Sequence, residues 1–283
     1  MASFKVNILR GLSGFFARRS ETYANLELSV RKTLFFEQLE ERDDDIYIIT
    51  FMKSGTTWMQ MICYQLLTDG NMDFKHIYDV SPWLSNAAKT GVDPASINEL
   101  PSPRVFKSHD RYDLFDSECT AKFIFVYRQP DDVAVSFLHH LRNYTDTGYT
   151  VDRMFEEYFD INKEVNWFSF TQAWLKNTYG LNILYVNYAD LKNDFDNSLK
   201  RIAAFLEVEL TDEIAQRVKE RSSFEFMKAH EEKFGEQPRD KRVYDQFIRE
   251  GKVGAGKELS QEHRDFIMKM HHQFIKPLEK RLD

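Results

Sequence analysis

The sequence predicts an α/β protein, a single domain with a central, mainly parallel β-sheet flanked by helices. Three observations predict it. Short apolar runs rich in β-branched and aromatic residues, clearest at Ile46 to Phe51 and Lys122 to Tyr127, read as buried strands. They alternate with longer helical patterns, which calls for right-handed crossovers and a parallel sheet covered on both faces. No internal repeat, low-complexity tract or Pro/Gly/Ser linker divides the chain, so residues 1–283 read as one domain.

The elements follow in order. Residues 1–20 hold Lys5, Arg10, Arg18 and Arg19 and no acid, and Phe4, Ile8, Leu12, Phe15 and Phe16 recur at a helical period. A basic amphipathic helix is expected there, docked on its own domain or resting on an anionic membrane surface as a peripheral contact. Asp43, Asp44 and Asp45 read as a solvated turn before the first strand, Ile46 to Phe51. A Lys-Ser-Gly-Thr-Thr turn leads to a helix from Trp58 to Leu67 that stops near Gly70. Arg104 to Lys107 is a second strand and Lys122 to Tyr127 a third, followed by a helix from Val133 to about Leu141. A helix from Trp167 to Tyr179 with Gly180 at its C-cap precedes a fourth strand, Ile183 to Asn187. Helical patterns then cover Leu191 to Leu206, Thr211 to Arg221 and Ser260 to Leu282.

Composition narrows the function. The net charge is −7 with 29% charged residues, which argues against a nucleic-acid partner while permitting a local cationic site. No run approaches the ~18 apolar residues of a transmembrane helix. Cys63 and Cys119 are too few for a disulfide framework and lack metal-ligand spacing, so a reducing, cytoplasmic setting is expected. Only 11 glycines occur, about 4% against a usual ~7%, so their placement is informative.

Chemistry concentrates after the first strand, in Lys53-Ser54-Gly55-Thr56-Thr57-Trp58. Strand, one-glycine turn and helix start make converging N–H groups and a helix dipole that favour an anion; Lys53 adds a charge and the hydroxyls add donors. The arrangement is P-loop-like but not a Walker A loop, because Lys53 precedes the glycine. No HExxH, paired cysteines or acidic ligand cluster accompanies it, so no metal is expected.

These residues resemble the 5′-phosphosulfate loop of the cytosolic sulfotransferases, which move a sulfonyl group from 3′-phosphoadenosine 5′-phosphosulfate (PAPS) to a hydroxyl or amine. Further segments match in the same order. Lys107-Ser108-His109 is similar to the segment carrying the family's catalytic histidine, and Arg128-Gln129-Pro130-Asp131-Asp132-Val133-Ala134-Val135-Ser136 to the one whose Arg and Ser hold the 3′-phosphate. Tyr188 and Ser222-Ser223-Phe224 look like adenine and ribose contacts, and Phe247-Ile248-Arg249-Glu250-Gly251-Lys252-Val253-Gly254 resembles the C-terminal RxGxxG loop. The match runs from about Ile46 to Gly256 and implies a sulfotransferase fold, PAPS as cofactor and 3′-phosphoadenosine 5′-phosphate as product.

On that reading His109 is the general base, Lys53 stabilises the leaving phosphate and Lys107 the sulfonyl oxygens. The cofactor set is Lys53, Ser54, Gly55, Thr56, Thr57, Trp58, Arg128, Ser136, Tyr188, Ser222, Phe224, Phe247, Ile248, Arg249 and Gly251. Ser136 is further implied to restrain Lys53 until an acceptor arrives. The acceptor pocket is expected around Tyr78, Trp83, Phe137, His140 and Tyr144, whose aromatic character suits a phenol, sterol or other apolar alcohol. His76, His139, His140, His230, His263, His271 and His272 read as surface or core residues, with His139 and His140, on the helix after the phosphate-binding loop, as the exceptions to consider.

The chain departs from the family pattern at Glu250, where a Lys is usual, at Ala255-Gly256 in place of Asp-Trp, and at Phe51-Met52 in place of Tyr-Pro. The usual C-terminal dimer motif is missing after Lys257, so the sequence assigns no oligomeric state. Two other readings compete: a P-loop nucleotide kinase, which requires magnesium and a Walker-type glycine pair, and a non-catalytic nucleotide-binding or membrane-docking module.

Overall fold

A computed structural model describes residues 26–235 and 247–282, which fall into two compact units. The expected N-terminal helix over 1–20 lies outside the described residues. The smaller unit includes helix α1 (residues 26–38) and the stretch Trp83–Leu100. Residues 42–82 and 101 onward form the larger unit.

In the larger unit, β1 (Ile46–Thr50) leads into α2 (Thr56–Leu67). The smaller unit contributes α3 (Leu84–Thr90) and α4 (Pro94–Asn98). The chain then runs through β2 (Val105–Ser108), β3 (Lys122–Tyr127), α5 (Pro130–Tyr144), α6 (Val151–Tyr158), α7 (Trp167–Lys176) and β4 (Asn182–Asn187). It ends with α8 (Tyr188–Asn193), α9 (Phe195–Phe205), α10 (Asp212–Arg221), α11 (Phe224–Ala229) and α12 (Gln261–Phe274).

The four strands pair in parallel in the order β2-β1-β3-β4. Side chains alternate across β3: Phe123, Phe125 and Tyr127 join a core with Trp174, Val133 and Ile267, while Ile124 and Val126 join Ile48, Met59, Ile62 and Ile202 on the other face. Register pairs Ile49 with Ser108, Thr50 with Val126 and Tyr127 with Asn187, so all four strands end at one edge. Ligands of parallel sheets sit at that edge.

Several boundaries differ from the sequence reading. The helix expected over Leu191 to Leu206 is two helices, because Asp194 both ends α8 and caps α9. The fourth strand begins one residue earlier than expected, at Asn182, and Tyr188 directly after it opens α8. The last helix stops at Phe274 and continues as a 3-10 turn, Lys276–Arg281, since Pro277 has no N–H to extend an α-helix. Asn177, with φ 45°, takes the α7 cap expected of Gly180. Asp45 is no solvated turn residue: it is 2% exposed and bound by two Arg104 bonds of 2.8 and 2.6 Å. Cys63 is buried in α2, where burial pushes its thiol pKa up, and Cys119 is half-buried in a loop.

Candidate active site

The turn after β1 is built by backbone conformation. Lys53 has φ 67° and Gly55, the N-cap of α2, has φ 102°; glycine accepts such angles without strain. Gly55 is required for a second reason: a Cβ there would lie 2.8 Å from the Tyr188 ring. The N–H groups of the first α2 turn lack intrahelical acceptors, and Thr56 and Thr57 stand in that turn. Ser54 and Thr56 are buried and Thr57 half-buried.

Arg128, the residue after β3, links this turn to the C-terminal loop. Its Nη1 donates to the Lys53 carbonyl at 2.8 Å and its Nη2 to the Lys252 carbonyl at 2.9 Å. The guanidinium packs 4.6 Å from the Tyr188 ring centroid. Burial lowers the Arg128 pKa, yet an arginine so placed stays charged. Its Nε is buried and has no hydrogen-bond partner among the described residues. A buried cationic donor without an acceptor is costly unless an anion fills the place.

The C-terminal loop is held from both ends. Glu231 accepts from the N–H groups of Phe247 and Ile248, while Lys228 Nζ bonds Glu231 and the Ile248 carbonyl, each at 2.7 Å. Buried Asp132 accepts from the N–H groups of Gly254, Ala255 and Gly256 at 3.0, 2.6 and 3.2 Å. Between these anchors Phe247 lies under Lys53, with Nζ 4.6 Å from its centroid. Gly251, at φ 57°, abuts Phe224: a Cβ would meet that ring at 3.2 Å and the Tyr188 hydroxyl at 3.7 Å. Arg249 pairs with Glu250 at 3.1 Å, and Lys252 pairs with the same carboxylate at 2.9 Å. The Lys252 hydrogen bond and Arg249 hold the Glu250 pKa below the ordinary carboxylate range.

His109 follows β2. Its Nδ1 lies 2.8 Å from the Thr50 carbonyl and 3.2 Å from Thr50 Oγ1, which in turn bonds Thr56 Oγ1 at 2.7 Å. With Nδ1–H donated to the carbonyl, the neutral ring carries its lone pair on Nε2. Lys107, 6% exposed, donates from Nζ to Tyr78 Oη at 3.0 Å.

The cofactor candidates Lys53, Gly55, Arg128, Tyr188, Phe224, Phe247 and Gly251 are thus joined by direct contacts. Trp58 stands 5.6 Å from Tyr188, edge-on, and stacks on Phe195; its buried Nε1 has no partner among the described residues. Ser136 lies half-buried on α5. The Ser222 hydroxyl is committed to the Val218 carbonyl at 2.7 Å, closing α10. Of the acceptor candidates, Phe137 is 2% exposed and packs on Phe51, His140 stacks on Phe137, and Tyr144 lies 4.6 Å from His140. Trp83 belongs to the smaller unit, at the N-cap of α3.

Sequence reasoning missed four supporting residues: Thr50, Gln60, Asp132 and Glu231. Asp132 stands inside the Arg128 to Ser136 segment and Thr50 inside the first strand, but only the fold shows which groups they satisfy. Among the described residues no group of three or more His, Cys, Asp or Glu could hold a metal ion, and no helix is long and apolar enough to cross a membrane.

The parallel sheet with its strand–turn–helix edge defines an α/β protein of the P-loop-like class. Comparison with known proteins is more specific. The sulfotransferase domain model matches residues 43–278. Rabbit (Oryctolagus cuniculus) amine sulfotransferase is 32% identical over 217 residues, 72% of this chain and 70% of that protein. Mouse (Mus musculus) sulfotransferase 2B1 is 33% identical over 201 residues, 67% of this chain and 57% of that protein. Among solved structures, mouse sulfotransferase SULT7A1 complexed with PAP superposes with a TM-score of 0.66 at 20% identity, covering 86% of this chain and 88% of that one. Retinol dehydratase in complex with androsterone and inactive cofactor PAP superposes at 0.68 and 21%, covering 84% and 82%. The chain belongs to the sulfotransferase family and is an enzyme of that class.

Proposed function

We propose that this enzyme transfers the sulfonyl group of PAPS to a hydroxyl or amine of a small apolar or aromatic acceptor, in the cytoplasm and without a metal. The observation that carries the cofactor assignment is Arg128, whose fork ties the two loops together while its buried Nε awaits an acceptor. The residues present fit a nucleotide with phosphate at both ends: the α2 N-terminus with Lys53 for the 5′ end, Arg128, Ser136 and Arg249 for the 3′ end, and Trp58, Tyr188 and Phe224 for the base. The proposal takes residues 1–283 as one functional domain.

When bound, PAPS would supply the sulfonyl group to the acceptor's oxygen or nitrogen, with 3′-phosphoadenosine 5′-phosphate as the leaving product. His109 takes the acceptor proton at Nε2, its ring fixed through Nδ1 by Thr50. Lys53 stabilises charge released on the phosphate oxygen, and Lys107 stabilises the sulfonyl oxygens. Positioning and charge do most of this chemistry, as in phosphoryl transfer.

The acceptor class is drawn from the aromatic candidates and from relatives whose names carry an amine and whose complexes carry androsterone or retinol. A screen with radiolabelled PAPS across phenols, sterols, amines and sugars tests it; labelling of none, or of sugars alone, overturns it. His109→Ala should cost on the order of 100-fold or more in turnover with the affinity for 3′-phosphoadenosine 5′-phosphate retained. Full turnover in that variant removes His109 as base.

A further inference from the structure

The segment between α2 and α3 is fastened to β2 through Lys107. The Lys107 N–H donates to the Pro82 carbonyl at 2.9 Å, and its ammonium donates to Tyr78 Oη at 3.0 Å. The same end of the segment is also fastened to α2: fully buried Gln60 donates to the Ser81 carbonyl at 2.8 Å and to Ser81 Oγ at 3.1 Å. Tyr78 is itself fixed in a capped turn. Its N–H donates to His76 Nδ1 at 3.2 Å, the His76 N–H donates to Asp79 at 2.9 Å, and the two rings pack 4.5 Å apart. A half-buried tyrosine on a short, doubly anchored turn offers its oxygen to a nearly buried lysine.

Lysine is a point charge on a flexible stem, so a fixed acceptor decides where that charge sits. Burial raises the value of each bond to an ammonium, because water cannot replace a lost acceptor. We infer that Tyr78 is a positioning residue for the transfer reaction: it aims the Lys107 ammonium and acts through it, beyond any lining of the acceptor pocket. The inference rests on the proposed role of Lys107 at the sulfonyl oxygens. It assigns to the Tyr78 hydroxyl an effect on kcat that a pocket-lining ring does not have.

A double-mutant cycle separates the two roles. Tyr78→Phe keeps the ring and its contact with His76, Lys107→Met keeps the stem, and both are compared with the double variant at saturating PAPS. The expected results are a loss of kcat on the order of 100-fold in Lys107→Met, and of about 3- to 10-fold in Tyr78→Phe with acceptor KM unchanged. The double variant should be no slower than Lys107→Met. Calorimetric binding of 3′-phosphoadenosine 5′-phosphate confirms that each variant keeps a folded site. An effect of Tyr78→Phe on KM alone, or losses that add in the double variant, overturn the inference while leaving Lys107 in place. Unchanged kcat in Lys107→Met overturns the role of Lys107 itself, and the inference with it.

Discussion

His109 Nδ1 lies 2.8 Å from the carbonyl oxygen of Thr50, so the last residue of β1 orients the imidazole that follows β2. The Thr50 hydroxyl adds a second tie, 3.2 Å from Nδ1, and joins the ring to Thr56 in the first turn of α2. Thr50→Val removes the hydroxyl and spares the carbonyl. Turnover should fall about 3- to 10-fold with the tie to the imidazole, and stability by about 1 kcal/mol with the buried bond to Thr56. Steady-state kinetics and thermal unfolding check both; unchanged kcat means that the carbonyl alone orients the ring.

The sheet was legible because its strands are apolar runs bounded by turn residues: Lys122–Tyr127 is a strand over the expected residues. Boundaries set by one polar side chain were not. Nothing in the period of Leu191 to Leu206 marks Asp194 as a double cap, since its role depends on where the backbone turns. The turn between β1 and α2 was legible from Lys53, Gly55 and the hydroxyls as a set. Its supports were not, because Asp132, Glu231 and Gln60 act on backbone groups far away in sequence. The departure at Gly256 becomes intelligible only in three dimensions: a Cβ there would fall 2.6 Å from Asp131 Cβ, leaving no room for a side chain.

Arg128 supplies two bonds to separate loops and a planar contact with Tyr188. Lysine cannot reproduce that fork. Arg128→Lys should weaken binding of 3′-phosphoadenosine 5′-phosphate by about 10- to 100-fold, the range for lost bonds to a charged group. Isothermal titration reads the effect, with adenosine 5′-phosphate as a control that should lose much less.

Glu250 bridges Arg249 and Lys252 and so neutralises part of the field that a 3′-phosphate would meet. Glu250→Gln should tighten bisphosphate binding, and Glu250→Lys should tighten it further and steepen its salt dependence. Titrations at low and moderate salt measure both. Equal affinities in all three proteins would show that the pair with Arg249 lies outside the phosphate site.

His271 carries the clearest pH dependence of stability. It is 5% exposed on α12, with Nε2 2.8 Å from Tyr127 Oη and 3.3 Å from Glu279, near Trp167 on α7. Burial lowers its pKa; His272 and Lys276 push the same way, while Glu279 and Asp131 oppose. The folded protein therefore holds the neutral imidazole at pH values where the unfolded chain binds a proton. Stability is fully present above the ordinary value of 6.5 and is lost as pH falls below it toward the folded value. Tm should accordingly decline as pH is lowered from neutrality, before the carboxylates titrate. His271→Gln removes this titrating group: its Tm should start lower at neutral pH, because the imidazole packing is lost, and then decline less steeply across the same interval, the remaining slope including that of His139, whose pKa burial also lowers. A wild-type slope that survives in His271→Gln would assign the acid sensitivity to other groups.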